Sequence, residues 1–338
     1  MASGSLWRRS WDKRLLVSKY IVAILLFVSR VCFAADPAAP AGVTVSLDAL
    51  SGVLLGTANE YVWDQANQKP YLLSELDWGM LPAFYLGVAA EISIPAGFVA
   101  SASFKAGLPG LVGVITDSDF LNYDGVKTNF SQHDCYLERA ILVDTAIGWR
   151  FSLGPTTGQA LMLSLYGEFG LMLFAWSARN GYLQYPPEGS RPYTPWFASE
   201  SEIPVSGIGI LYEQDYLIPA LGAEVKWPAL PELTLSGSFS VSPISWCFDV
   251  DAHILRLTEF YDSTAGGWFF QPGVKAEYLV GRARVALEVS YRILFGLVGD
   301  SYSTSIGIGT GAPSATTPNG GGAGFGVLDA GLSFRLAL

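Results

Sequence analysis

Arg284-Val285-Ala286-Leu287-Glu288-Val289-Ser290-Tyr291-Arg292-Ile293 alternates residue by residue between two chemistries. Successive side chains of a strand leave by opposite faces. Val285, Leu287, Val289, Tyr291 and Ile293 therefore share one face, and Arg284, Ala286, Glu288, Ser290 and Arg292 share the other. The pattern recurs in 327–336, where Leu328, Ala330, Leu332, Phe334 and Leu336 oppose Asp329, Gly331, Ser333 and Arg335. In 233–242, Leu233, Leu235, Gly237, Phe239 and Val241 oppose Thr234, Ser236, Ser238, Ser240 and Ser242. Strands of this kind suit a transmembrane β-barrel, with lipid outside and a polar lumen inside. They also suit a soluble β-sandwich with one face in water. The rest of the chain favours the barrel.

Residues 1–34 read as a secretory signal and 35–338 as the barrel. Arg8, Arg9, Lys13, Arg14 and Lys19 precede the apolar run Tyr20–Ser29, and Cys32-Phe33-Ala34 supplies small residues before a cut. The run is shorter than the ~20 residues that a helical anchor needs. Without this segment, basic residues fall from 20 to 14 and acidic residues from 30 to 29, a formal charge of −15. An acidic exported protein is a poor partner for nucleic acid and a good one for cations. Half of the residues are apolar and 15% are charged, yet no mature segment is long and apolar enough for a membrane helix. Apolar content is instead spread in alternation. Cys135 and Cys247 remain after processing, and an exported compartment permits a disulfide between them without requiring one.

The expectation is an all-β, ten-stranded antiparallel barrel, with strands near 42–62, 71–92, 97–115, 132–152, 160–181, 209–227, 232–252, 267–280, 282–298 and 325–337. Ile94-Pro95-Ala96-Gly97, 154–158, Pro228-Ala229-Leu230-Pro231 and Val280-Gly281-Arg282 read as tight turns at one end. The segments 116–131, 183–208, 253–266 and 299–324 read as loops at the other. Short periplasmic turns and long external loops are the usual asymmetry. An even strand count puts both termini at the periplasmic end.

Chemistry gathers at the loop end. Asp249-Val250-Asp251-Ala252-His253 places two carboxylates and one of only two histidines at i, i+2 and i+4. On a strand they share a face. Their odd parity conflicts with the even inward parity of 234–242, so a bulge is expected near Pro243–Ser245, where a proline is tolerated. Asp117-Ser118-Asp119 places a further carboxylate pair at period two. Close carboxylates repel, so such a pair holds one proton between them. A histidine fixed by a carboxylate is suited to take a proton from water. Each motif alone also fits a solvated loop, and Ser131 and His133 also fit wall positions. Metal binding lacks a familiar ligand spacing.

The chain resembles the omptin family of outer-membrane proteases. The likeness rests on Leu50-Ser51-Gly52, Glu60-Tyr61-Val62, Leu76-Asp77-Trp78, Asp117-Ser118-Asp119-Phe120, Ser131-Gln132-His133 and Asp249-Val250-Asp251-Ala252-His253, in that order. It implies a ten-stranded barrel with an active-site groove at the extracellular mouth. It implies peptide hydrolysis by a water held between the Asp117–Asp119 pair and the Asp251–His253 dyad. Glu60 and Asp249 would recognise basic side chains, and Ser131 and His133 would be secondary groove residues. No metal or cofactor is implied, and a requirement for lipopolysaccharide or another lipid stays open. The implied protein is a monomer in outer-membrane lipid, acting on cationic peptides or protein loops outside the cell. Leu338 in place of a terminal aromatic, Phe120 in place of tryptophan, the two cysteines and the lack of obvious outward basic residues for lipid phosphates depart from the family. The rivals are an inactive barrel serving as an adhesin, a passive porin, and a lipid hydrolase using Ser131 and His133.

Overall fold

The computed structural model describes residues 42–64, 70–154, 160–186, 192–306 and 315–336. The expected signal segment, the turn residues 155–159 and the last residue, Leu338, lie outside these. Among the described residues, thirteen strands run in chain order: β1 (Thr44–Asp64), β2 (Tyr71–Ser93), β3 (Phe98–Gly107), β4 (Gly110–Asp119), β5 (Asn129–Leu153), β6 (Leu161–Gln184), β7 (Ile203–Pro204), β8 (Ile208–Pro228), β9 (Leu233–Ser242), β10 (Ser245–His253), β11 (Thr258–Val280), β12 (Ala283–Ser305) and β13 (Ala315–Leu336). All pairings are antiparallel, and β13 pairs back onto β1 to close the ring. The ring has ten staves. β3 and β4 together fill one, between β2 and β5. β9 and β10 together fill another, between β8 and β11. Closure leaves no unpaired edge in lipid, which a membrane-spanning sheet requires. Among the described residues, no helix is long and apolar enough to cross a membrane.

The alternation read from 284–293 is the alternation observed. Val285, Leu287 and Tyr291 are exposed on the outer wall, while Ala286, Ser290 and Arg292 are buried within. Leu86, Val88, Ile147, Leu165, Leu221, Phe239 and Val274 continue the outer apolar band. Trp149, Trp227 and Tyr278 rim it near the tight turns, the interfacial position that amphipathic aromatics favour. Toward the opposite end, the outer wall carries ion pairs from Arg139 to Glu213 and Asp215, and from Arg179 to Glu138. Outward basic residues are therefore present, each beside an acid. Phe248 and Val250 pair with Asp215 and Glu213, so the strand above them has left the apolar band.

Two expectations are corrected. The stave expected as one strand over 97–115 is broken at Leu108-Pro109, and β4 carries a further register shift between Leu111 and Gly113. Proline lacks the ladder N–H, and Gly113 takes a positive φ of 140° at the bulge. The segments expected as loops are also shorter. β11 begins at Thr258 after a single 3₁₀ turn over Ile254–Arg256, and β12 and β13 extend to Ser305 and from Ala315. The break expected near Pro243 is present. Ser242 Oγ both donates to the Ile244 carbonyl at 2.6 Å and accepts from its N–H at 3.2 Å. Burial switches there from Ser240 and Ser242 to Ser245, Cys247, Asp249 and Asp251.

The lumen is filled rather than open. Trp78 of β2 stacks on Tyr212 of β8 at 4.9 Å between ring centroids, and Phe174 stacks on Trp176 at 5.1 Å. Tyr216 meets Phe325 edge-on at 5.0 Å and donates to the Gly324 carbonyl across the barrel. Leu54, Leu142, Met172 and Phe269 complete this buried layer. Below it, Arg292 donates twice to Asp144, at 3.0 and 2.8 Å, and Lys105 pairs with Asp329. These ions border a polar cavity of about 220 Å³.

Candidate active site

β4 and β10 end at the same rim of the barrel, Asp119 closing one and His253 the other. Above the Pro243 break, inward parity is odd, so Asp249, Asp251 and His253 all face the lumen mouth. Asp249 and Asp251 are buried at 3% and 2% exposure. His253 Nε2 lies 2.6 Å from Asp251 Oδ2. With a proton on Nε2 donated to that carboxylate, Nδ1 is left as the basic nitrogen. Burial alone disfavours the imidazolium, but the charge and hydrogen bond of Asp251 outweigh it and raise the His253 pKa above its ordinary value.

On the facing stave, Asp117 is buried and accepts a hydrogen bond from Ser74 Oγ at 2.9 Å. Burial raises its pKa, while Ser74, His253 and Arg256 act in the opposite sense. Burial and the Asp117 charge push Asp119 up to about 7. The two carboxyls therefore hold a proton between them near neutrality. Asp117 feels the charge of His253 and of Asp251, and His253 feels that of Asp117. The four groups share one electrostatic site.

Glu60 lies 2% exposed on β1, where burial and then Asp251 and Asp249 raise its pKa well above the usual carboxylate range. Burial and Asp262 do the same for Asp249. Ser131 pairs with Asp117 across β4–β5, and His133 with Ile115. Both are buried. His133 Nδ1 contacts the main-chain carbonyl of Asn180, which ties the ring to the wall. Cys135 and Cys247 are both fully buried free thiols. Among the described residues, no cluster of His, Cys, Asp and Glu has a metal-holding arrangement.

Three participants were missed by the sequence reading. Ser74 and Arg256 act on the carboxylate pair, with Arg256 donating to Tyr185 Oη at 3.3 Å. Asp262, 6% exposed, stands opposite Asp249 in the β10–β11 pairing. Pairing outward from the turn after His253 reaches Asp262, which lies within the segment expected as a loop over 253–266.

Comparison with known proteins agrees with this architecture. The profile described as the Omptin family matches residues 41–336. Among solved structures, the outer membrane protease OmpT from Escherichia coli superposes with a TM-score of 0.75 at 19% identity, covering 86% of this chain and 96% of that one. The toluene transporter TodX from Pseudomonas putida covers 90% of this chain and 92% of its own, at 9% identity and a TM-score of only 0.25. A search of curated protein sequences finds no match.

Proposed function

The chain belongs to the omptin family of outer-membrane proteases, and on that premise we propose that it is an endopeptidase cleaving cationic peptides or protein loops next to Lys or Arg outside the cell. The observation that carries this reading is the meeting of Asp117 and Asp119 with Asp251 and His253 at one rim, each pair from a different stave.

In the proposed reaction a water sits between the pairs. His253 Nδ1 takes its proton as the oxygen attacks the peptide carbonyl. Asp251 holds the ring and stabilises the imidazolium that forms, as a carboxylate does in a hydrolytic triad. The proton shared by Asp117 and Asp119 is offered to the developing oxyanion. When the intermediate collapses, the C–N bond breaks and His253 returns its proton to the leaving amine. General-base help is worth roughly 10²–10⁴-fold, so orientation in the groove supplies much of the remainder. Glu60 and Asp249 hold the basic side chain by charge-assisted hydrogen bonds. Ser131 and His133 serve as wall residues, and Ser131→Ala leaves turnover intact.

The test is turnover of a fluorogenic Arg-Arg or Arg-Lys peptide by refolded protein between pH 5 and 9, with and without lipopolysaccharide. His253→Ala and Asp117→Ala fold, by heat-modifiable gel mobility, and lose activity. Undiminished turnover in either variant, or none in the parent protein, overturns the reading.

A further inference from the structure

The inner wall between Asp262 on β11 and Glu60 on β1 carries only small side chains among the described residues. β12 presents Ser301 beside Asp262, whose carboxyl it hydrogen-bonds, and then Gly299; β13 presents Gly321 and Ala323, with Gly321 opposite Gly299 and Ala323 opposite Glu60. The Asp262 carboxyl leans across β12 until it lies against Gly321, where a Cβ would come within 2.2 Å of Oδ2. The small residues thus leave a slot with carboxylates on separate sides. Asp249 and Asp262 border it on one flank, and Glu60 borders it on the other.

An acidic cluster alone is no site, but this one has unspent acceptors. Glu60 Oε2, Asp249 Oδ2 and Asp262 Oδ1 are all buried and lack a hydrogen-bond partner. Their side chains are at least nine-tenths buried. Burying a carboxylate oxygen without a donor is costly, and like charges so close add to the cost. A chain that keeps three such oxygens around one slot is complementary to a donor-rich cation. The absence of a metal-type cluster among the described residues directs attention to an organic cation.

Resting on the protease reading above, we infer that Asp262 is a specificity-determining residue, the third side of a slot that takes arginine in preference to lysine. A guanidinium is planar and spreads five N–H donors over its edges, so it can reach carboxylates on several sides. An ammonium gathers three donors on one strongly hydrated nitrogen and gives up more hydration on entry. The third carboxylate therefore adds more to arginine than to lysine.

The experiment measures equilibrium binding of peptides that differ only in carrying Arg, Lys or citrulline at one position. Binding is measured by calorimetry in the His253→Ala background, alongside cleavage in the His253 protein. The reference binds the Arg peptide about tenfold or more tighter than the Lys peptide, and citrulline hardly at all. Asp262→Asn weakens Arg binding about tenfold, the scale of one lost charge-assisted hydrogen bond, and Lys binding about twofold. In the cleaving protein the same change appears in KM with kcat nearly constant. Gly321→Ala, which displaces the Asp262 carboxyl from the opposite wall, gives the same loss of preference. It also serves as the second variant should Asp262→Asn fail to fold. An Arg-to-Lys ratio unchanged in folded variants, or near one in the reference, overturns the slot while cleavage leaves the protease reading standing. A preserved ratio without cleavage does the reverse.

Discussion

Asp251 and His253 stand two residues apart on one strand, with Oδ2 and Nε2 separated by 2.6 Å. The strand period alone brings them to one face, and the hydrogen bond leaves Nδ1 as the base. Asp251→Asn is expected to lower kcat by about 10²–10⁴-fold with little change in KM. Because Asp251 raises the His253 pKa, its loss moves the rising limb of the pH–rate profile to lower pH. An unmoved limb would remove Asp251 from its role beside His253.

The alkaline side of the profile belongs to the other pair. Activity rises as His253 loses its proton, above the ordinary 6.5, and falls as the Asp117–Asp119 pair loses its own, with Asp119 near 7. A narrow bell in kcat/KM follows. The Ser74 hydrogen bond lowers the pKa of both carboxyls. Ser74→Ala should therefore carry the falling limb to higher pH at a modest cost in rate. A falling limb that stays in place, or moves to lower pH, argues against a shared proton.

Stability should fall as the solution becomes more basic. In the folded protein Glu60, Asp249 and Asp262 keep protons that the unfolded chain releases near pH 4, Asp262 holding its proton to about 6. The folded state thus binds more protons over this window, and stability present below pH 4 is lost as pH rises through the folded values. The temperature of the gel-mobility transition is expected to drop from pH 5 to pH 8. Asp262→Asn should flatten that slope and raise the transition at pH 8. A transition temperature climbing over the same range contradicts the expectation.

The filled lumen predicts silence in planar bilayers. Trp78, Trp176, Tyr212, Phe325 and Leu54 are buried across the barrel interior, and the ion pairs of Arg292 and Lys105 lie beneath them. A layer packed at protein-interior density is expected to block a continuous water path. Steady single-channel steps from pure protein would restore the porin reading.

Much of the barrel was legible in the sequence because lipid imposes a strict period of two. The faces of Val285 to Ile293 follow from alternation with no partner strand in view, and the parity conflict at Pro243 alone locates a break. The Leu108-Pro109 break is hidden in the sequence, since Gly107 and Gly110 flank it within an otherwise strand-like run. Strand ends at the mouth were misjudged because they leave the lipid. Beyond it, Glu259, Asp262 and Asp300 fall among serines and threonines that interrupt the apolar alternation, and the segments look like loop. Asp262 went unnoticed for that reason, and its role depends on Gly299 and Gly321, far away in sequence.

The two interrupted staves, β3/β4 and β9/β10, are the two that carry the halves of the site. Each offset disconnects the numbering of the upper storey from that of the lipid-embedded storey below. Side chains at the mouth can thus be re-aimed by a one-residue slip at Pro109 or Pro243 without rotating any apolar residue out of the bilayer. The cylinder behaves as a fixed socket carrying a separately indexed collar, and insertions or deletions at those two joints are where new cutting preferences would be cheapest to evolve.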